Sequence, residues 1–248
     1  MKNFIDTQPM LFSRKEMYLM EHSRNGHPRR MGSISESNRR KHSIDNMHLM
    51  EGLSFVNNVA QVAPYNGRTD FEPVAFTDRN RHDGKNQIVH FFQDDYKFLN
   101  QVWMHLEPTT MSLKKFDCLF APDFSMWRDL PSEQPNRNSI YRNRFVTAYW
   151  QHCGYNVIPV ASWGGIETLS YCFDGLPQQS VIAVSCTGNR RNQADFNYWC
   201  YALQRMEEKL SPTQIIIYGA EANMPGIRTP LKFIPDYITT HFRNNGKD

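Results

Sequence analysis

The sequence of 248 residues contains no uninterrupted hydrophobic run of the roughly eighteen residues that a membrane span requires. Its first segment, residues 1–23, also lacks the continuous apolar stretch of a secretory signal peptide. These two absences argue against a secreted protein and against a membrane protein. We therefore expect a cytoplasmic protein that has no membrane partner.

Paired cysteines are also missing. The five cysteines are widely spaced, odd in number and free of any Cys-x-x-Cys pair, which argues against a disulfide framework and against a zinc knuckle. The nine histidines include no His-x-x-x-His pair of the kind that binds zinc on a helix. No cofactor is therefore identified from local motifs, although residues distant in sequence could still assemble a site for a divalent metal ion.

Negative charge is scarce in one part of the chain. The whole sequence has a formal charge of only +3, but residues 23–43 (SRNGHPRRMGSISESNRRKHS) contain one acidic residue among many basic ones. We expect residues 1–50 to form a basic, mobile arm with a short helix over residues 10–20. This arm could bind nucleic acid, or it could be an ordinary solvated tail. The candidate nucleic-acid contacts are Arg29, Arg30, Arg39, Arg40 and Lys41.

The hydrophobic residues are concentrated further along the chain. Residues 51–86 are irregular, whereas residues 87–248 alternate short β-branched and aromatic runs with segments of helical period. The runs are short and uniformly apolar, which is typical of buried parallel strands. The predicted strands are residues 88–92, 118–121, 157–161, 181–185 and 215–218, with residues 74–76 as a possible sixth.

The segments between these strands predict helices at residues 95–106, 138–152, 166–173 and 192–210. Alternating strands and helices predict an α/β domain with a mainly parallel sheet of five to six strands and covering helices. The sheet could be open and doubly wound, or it could curl into a partial barrel. Pro159 has no backbone donor, which predicts an edge position or a bulge.

Ligands of parallel α/β proteins bind beyond the carboxyl ends of the strands. All the loops predicted there are polar, small or glycine-containing. We take Asp123 as a candidate acid–base or metal-binding carboxylate and Ser125 as an orienting hydroxyl, both in a catalytic role. The candidate ligand-binding residues are Asp94, Arg144, Trp163, Thr187, Gly188, Asn189, Arg190 and Glu221.

Each candidate also has a structural alternative. Asp94 could only cap a helix, and Asp123 could only form an Asx-turn with Ser125. The loop over residues 187–191 could hold a phosphate at a helix N-terminus, or it could be a tight turn with solvated arginines. Trp163 could stack on a base or a sugar ring, or it could pack in the core. The sequence leaves these alternatives open.

Several motifs together resemble a known family. The segments FFQDDYKFLNQVW, FDCLFAPDFSMWRDLP, NSIYRNRFVTAYWQHCGYNVIPVASWG, CFDGLPQQSVIAVSCTG and IIIYGAE occur in this order. They are similar to the bacterial and phage family known as domain of unknown function 4417, over about residues 88–221. The resemblance implies a protein of a phage or mobile element, acting in a bacterial cell. It implies no particular activity.

Two functions therefore remain. The first is an enzyme acting on a phosphorylated or nucleic-acid-related substrate, with Arg144 and Arg190 binding its anionic groups. The second is a non-catalytic accessory that binds nucleic acid or a host protein through the basic arm. A pocket lined by Asp123, Ser125, Trp163 and Thr187 would favour the first. The oligomeric state is left open by the sequence.

Overall fold

A computed structural model describes residues 43–236 of the chain. The helix predicted at residues 10–20 lies outside this range, as do the candidate nucleic-acid contacts Arg29, Arg30, Arg39, Arg40 and Lys41. The chain divides into two units between His48 and Leu49. The α/β fold belongs to the second unit.

Within residues 43–236 the chain forms nine strands and three α-helices. The strands are β1 (Phe55–Val56), β2 (Val59–Ala60), β3 (Glu72–Ala75), β4 (Gln87–His90), β5 (Cys118–Phe120), β6 (Val157–Ile158), β7 (Val181–Ser185), β8 (Gln214–Tyr218) and β9 (Leu231–Ile234). The helices are α1 (Leu106–Ser112), α2 (Gln134–His152) and α3 (Gln193–Leu210). Strands and helices alternate from β4 to β8, as the sequence predicts.

The strands that follow residue 70 form two parallel sheets. One has the order β3-β4-β5-β6 and the other the order β7-β8-β9. A parallel bridge between Val160 and Ala183 joins them. In that bridge the backbone N–H of Ala183 donates to the carbonyl of Pro159 at 2.8 Å. Pro159 therefore follows the end of β6 at the junction between the sheets, where its missing N–H breaks no ladder hydrogen bond.

The row of strands is curved. β4 and β8 are four positions apart across the two sheets, which in a flat sheet would separate them by roughly 19 Å. The rings of His90 on β4 and Tyr218 on β8 nevertheless lie with their centroids 4.8 Å apart. Successive strands are also neighbours throughout, without the reversal of strand order that a doubly wound sheet requires. The carboxyl ends of the strands are therefore gathered around a concave face.

Two hydrophobic clusters fill the domain. Helix α2 contributes Phe145, Val146 and Trp150 to the first, which includes residues from all seven parallel strands. Helix α3 contributes Trp199, Leu203 and Met206 to the second. The apolar side chains of α3 recur every three or four residues, which explains its burial along one face.

The prediction of one continuous helix over residues 95–106 is wrong. The chain instead makes a 3-10 turn at Asp95–Lys97 and a π-helical turn at Asn100–Met104, and the α-helix starts only at Leu106. Pro108 explains the interruption, because proline cannot donate a hydrogen bond to the carbonyl four residues before it and is tolerated only in the first turn of an α-helix. The helix predicted at residues 166–173 is a 3-10 helix at Ile166–Ser170.

The other two helices agree better with the prediction. Helix α3 begins after Asn192, whose side chain accepts a hydrogen bond from the N–H of Asp195 at 2.8 Å. Helix α2 begins four residues earlier than predicted, with Pro135 in its first turn. None of the helices within residues 43–236 is long and apolar enough to cross a membrane.

Candidate functional site

A cleft of about 190 Å³ opens among the loops that follow β5, β6 and β7. Polar side chains dominate its wall. The lining residues are Asp123, Ser125, Met126, Ala161, Ser162, Trp163, Ser185, Thr187 and Asn189. The structure thus brings together Asp123, Ser125, Trp163, Thr187 and Asn189, five of the residues singled out in the sequence.

Asp123 lies three residues beyond the end of β5, at the wall of this cleft. Its Oδ1 atom is shut off from solvent and accepts no hydrogen bond from any residue in the range 43–236. Burial raises the pKa of the carboxyl group to about 7, and the negative charge of Asp95 raises it further, whereas a hydrogen bond from Ser162 and the charge of Arg144 lower it. Asp123 is therefore present in both protonation states near neutral pH.

Asp95 fixes the loop that carries Asp123. Its Oδ1 atom accepts a hydrogen bond from the hydroxyl of Ser125 at 2.9 Å and another from the backbone N–H of Ser125 at 3.0 Å. The hydroxyl of Ser125 is therefore held towards a carboxylate. Asp95 therefore positions Ser125.

Helix α2 holds the same loop from its other side. The side-chain amide of Asn143 accepts from the N–H of Phe124 at 2.8 Å and donates to its carbonyl at 3.3 Å. Ser139 donates to the carbonyl of Ser125 at 2.8 Å. Asn136 makes the same two-way pair with the backbone of Trp127, at 2.8 and 2.9 Å.

The three side chains on α2 recur at positions 136, 139 and 143, which is the spacing of one helix face. All three are buried, although Asn and Ser are residues that normally face solvent. None of the three was predicted from the sequence. Their helical spacing was the available signal, since a polar stripe on an otherwise buried helix indicates hydrogen bonds to a neighbouring loop.

Trp163 forms the aromatic wall of the cleft. Its ring centroid lies 5.7 Å from that of Trp199 on α3 and 6.2 Å from that of Phe173. Gly164, the next residue, permits a close approach of the two loops, because a Cβ atom there would lie 2.2 Å from the carbonyl oxygen of Trp127. The ring of Trp163 is thus backed by the core and only partly exposed.

The N-terminus of α3 is already occupied by side chains of the protein. Asn192 caps it, and the carboxylate of Asp195 lies in its first turn. Arg128 donates to Asp195 Oδ1 at 2.8 Å and to Asn189 Oδ1 at 3.3 Å. Gly188 has a φ of +80°, which is the conformation of a tight turn. The first turn of α3 is thus closed by the protein's own side chains, and Gly188 makes a tight turn before it.

The remaining candidates do not line the cleft. Arg190 is exposed and donates to the carbonyls of Ala220 and Glu221 at 3.0 and 3.5 Å. Glu221 is exposed to solvent. Asp94 is also exposed and pairs with Lys97 at 3.2 Å.

Arg144 is fully buried behind the cleft. Its guanidinium group donates to three backbone carbonyls, those of Asp174 at 3.0 Å, Val160 at 3.3 Å and Cys172 at 2.7 Å. Burial lowers the pKa of this group to about 10. Three of the five N–H donors of Arg144 are therefore committed to the backbone, and these contacts do not support an anion-binding role for it.

The carboxylates considered for a divalent ion do not assemble. Within the part of the chain that the structure describes, no three His, Cys, Asp or Glu side chains could together hold a metal ion. Cys186, which follows β7, is buried, and burial raises the pKa of its thiol. Its sulfur packs under Gly219, where a Cβ atom would lie 2.2 Å away.

The chain is similar to proteins of mycobacterial phages. The family described as Domain of unknown function (DUF4417) matches residues 62–236. The Gene 1 protein of Mycobacterium phage L5 is 34% identical over 173 residues, which cover 67% of this chain and 75% of that protein. The Gene 1 protein of Mycobacterium phage D29 is 34% identical over 145 residues, covering 56% of this chain and only 53% of that protein. No solved structure matches the chain.

Proposed function

This chain belongs to the DUF4417 family, which includes phage proteins, and we propose that it is an enzyme in which Asp123 exchanges a proton with a small substrate held in the cleft. The cleft occupies the place where parallel α/β proteins bind ligands, beyond the carboxyl ends of the strands. We infer that the curved, sequentially ordered strands form a partial barrel, whose loops would converge on such a site.

The pKa of Asp123 is the observation that supports this proposal. A general acid or base works best when its pKa lies near the pH at which the enzyme operates, and the pKa of Asp123 is about 7. Carboxyl groups reach such values when burial disfavours their charged form. A residue perturbed in this way and placed in a cleft is a candidate for acid–base catalysis.

The hydrogen bonding of Asp123 argues against a purely structural role. Buried polar groups that only support a fold normally have hydrogen-bond partners, because leaving one without costs about 1–3 kcal/mol. The Oδ1 atom of Asp123 has none within residues 43–236. An oxygen without a hydrogen-bond donor disfavours the charged carboxylate, in line with the raised pKa of Asp123.

The experiment that tests this proposal is a pH titration of the Asp123 carboxyl carbon by NMR, assigned with the Asp123→Asn variant. We expect a midpoint close to 7. Asp117, which lies at the opposite end of β5 and accepts a hydrogen bond from the N–H of Asn86 at 2.7 Å, supplies a matched control. The Asp117→Asn variant should leave the Asp123 midpoint unchanged. A midpoint below about 5 would contradict the proposal, since the group would then be fully ionised at neutral pH.

A further inference from the structure

We propose that the group bound in this cleft is an uncharged nucleobase, with its face against Trp163 and its hydrogen-bonding edge on Asp123. This inference rests on the proposed function, because it assigns a substrate class to the same site. The sequence led us to expect either a nucleic-acid-related or a phosphorylated substrate. This inference favours the first of these two classes.

The charges around the cleft disfavour a phosphate. No lysine or arginine is among the residues that line it. Two guanidinium groups on neighbouring loops, those of Arg128 and Arg190, are engaged with Asp195 and with backbone carbonyls. Phosphate recognition normally requires such groups or a vacant helix N-terminus. The carboxyl group of Asp123 would in addition repel an anion.

The hydrogen bonds at the wall disfavour a sugar. Ser125 already donates to Asp95, and Ser185 accepts from the N–H of Thr187 at 3.2 Å. Asn189 accepts from Arg128 and donates to the carbonyl of Thr187 at 3.4 Å. A sugar presents hydroxyl groups around its whole perimeter, each needing a partner. A flat base needs only one edge and one face.

Asp123 can bind the hydrogen-bonding edge of a base, and Trp163 can stack on its face. Aromatic side chains stack on bases and are a recurrent device of base recognition. A carboxylate accepts two N–H bonds, whereas a protonated carboxyl group both donates and accepts. Asp123 is present in both forms near neutral pH and so can match either pattern of a base edge. The cleft volume of about 190 Å³ is below the roughly 300–1,000 Å³ of sites for drug-sized ligands, which suits a single ring system.

The test is isothermal titration calorimetry of the full chain with adenosine, guanosine, cytidine and uridine. Nucleosides carry no phosphate, so the basic residues 23–43 contribute no phosphate binding to the signal. Ribose and inorganic phosphate serve as comparison ligands. We expect at least one nucleoside to bind, while ribose and phosphate do not.

Three variants locate the binding. Trp163→Leu should weaken it about tenfold or more, because it removes a stacking surface. Trp163→Phe, which keeps a ring, should bind close to the wild type even if the leucine variant folds poorly. Trp127→Leu is the matched control, since Trp127 is 57% exposed but does not line the cleft, and it should leave the affinity unchanged.

Three outcomes would overturn the inference. The first is an absence of nucleoside binding at millimolar concentration. The second is binding that ribose or phosphate reproduces, and the third is binding that Trp163→Leu leaves intact. If Asp123 titrates near pH 7 while no nucleoside binds, the substrate class is wrong and the acid–base proposal stands. If a nucleoside binds while Asp123 titrates below pH 5, the site is a base-binding site without acid–base catalysis.

Discussion

The hydroxyl and the backbone N–H of Ser125 both donate to one oxygen of Asp95, at 2.9 and 3.0 Å. Asp95 comes from the loop after β4 and Ser125 from the loop after β5, so this pair ties neighbouring strand ends together. The same negative charge raises the pKa of Asp123. Asp95 is therefore a positioning residue that also acts on the cleft through its charge.

Asp95→Asn should lower the pKa of Asp123. Asparagine keeps an oxygen that can accept from Ser125 but removes the negative charge that disfavours ionisation of Asp123. We expect the NMR midpoint of Asp123 to move to lower pH. Asp94→Asn is the matched control, because Asp94 is exposed and paired with Lys97, and it should shift the midpoint less. Equal shifts in the two variants would contradict the role given to Asp95.

Arg144→Met should destabilise the domain strongly. The substitution removes three hydrogen bonds to carbonyls and leaves these acceptors buried, so we expect a loss of about 3–5 kcal/mol in the free energy of unfolding. Arg137→Met, on the same helix but with an exposed ion pair to Glu133, should cost less than about 1 kcal/mol. Urea denaturation measures both. A mild effect at position 144 would mean that these carbonyls find other partners.

The buried strands were predictable because they consist of short, uniformly apolar runs of sequence. The segment 181–185 is uniformly apolar up to its last residue, and β7 has these bounds. Strand β9 was not predicted, because it is not a buried, uniformly apolar run. Within residues 43–236 it pairs only with β8, three of its four residues are half-buried, and its sequence LKFI contains a lysine. An edge strand of this kind carries no distinctive periodicity.

The candidate site was predictable only in part. Parallel topology alone gathers the strand ends, which is why Asp123, Ser125, Trp163 and Thr187 were found. The burial of Arg144 was not predictable, because its acceptors belong to residues 160, 172 and 174, which are remote in sequence. Long-range partners of a single side chain leave no local pattern.

His90→Phe should make the domain less sensitive to acid. Burial lowers the pKa of His90 to about 4 from 6.5, and its Nδ1 atom accepts and donates no hydrogen bond within residues 43–236. A neutral folded-state histidine contributes stability above pH 6.5 that is lost as pH falls towards 4. The loss amounts to about 3 kcal/mol at most. Phenylalanine keeps a ring beside Phe92 and Tyr218 and cannot be protonated.

Urea denaturation at pH 4.5 and pH 7.5 measures this difference. The wild type should lose more stability than His90→Phe between the two pH values. His105→Gln, a substitution of an exposed histidine, should behave like the wild type. Identical losses in wild type and His90→Phe would show that His90 is already solvated in the folded protein.

Asp123→Asn should stabilise the protein at pH 8 relative to the wild type. The folded-state pKa of Asp123 is about 7 against a usual value of 3.8, so the folded protein holds a proton that the unfolded chain has released. This group's contribution to stability is full below pH 3.8 and is lost as pH rises through 7. Asparagine has no such dependence. We expect the advantage of the variant to grow by roughly 2–3 kcal/mol between pH 5 and pH 8.

The difference between variant and wild type isolates Asp123, because His90 titrates in both proteins and its opposite pH dependence cancels. Urea denaturation at half-unit pH intervals measures it. A variant that is more stable yet no longer turns over a substrate would fit a residue kept for chemistry, since functional sites often hold groups that cost stability. A difference that stays constant from pH 5 to pH 8 would place the Asp123 carboxylate in water, and the proposed proton exchange near neutral pH would lose its physical basis.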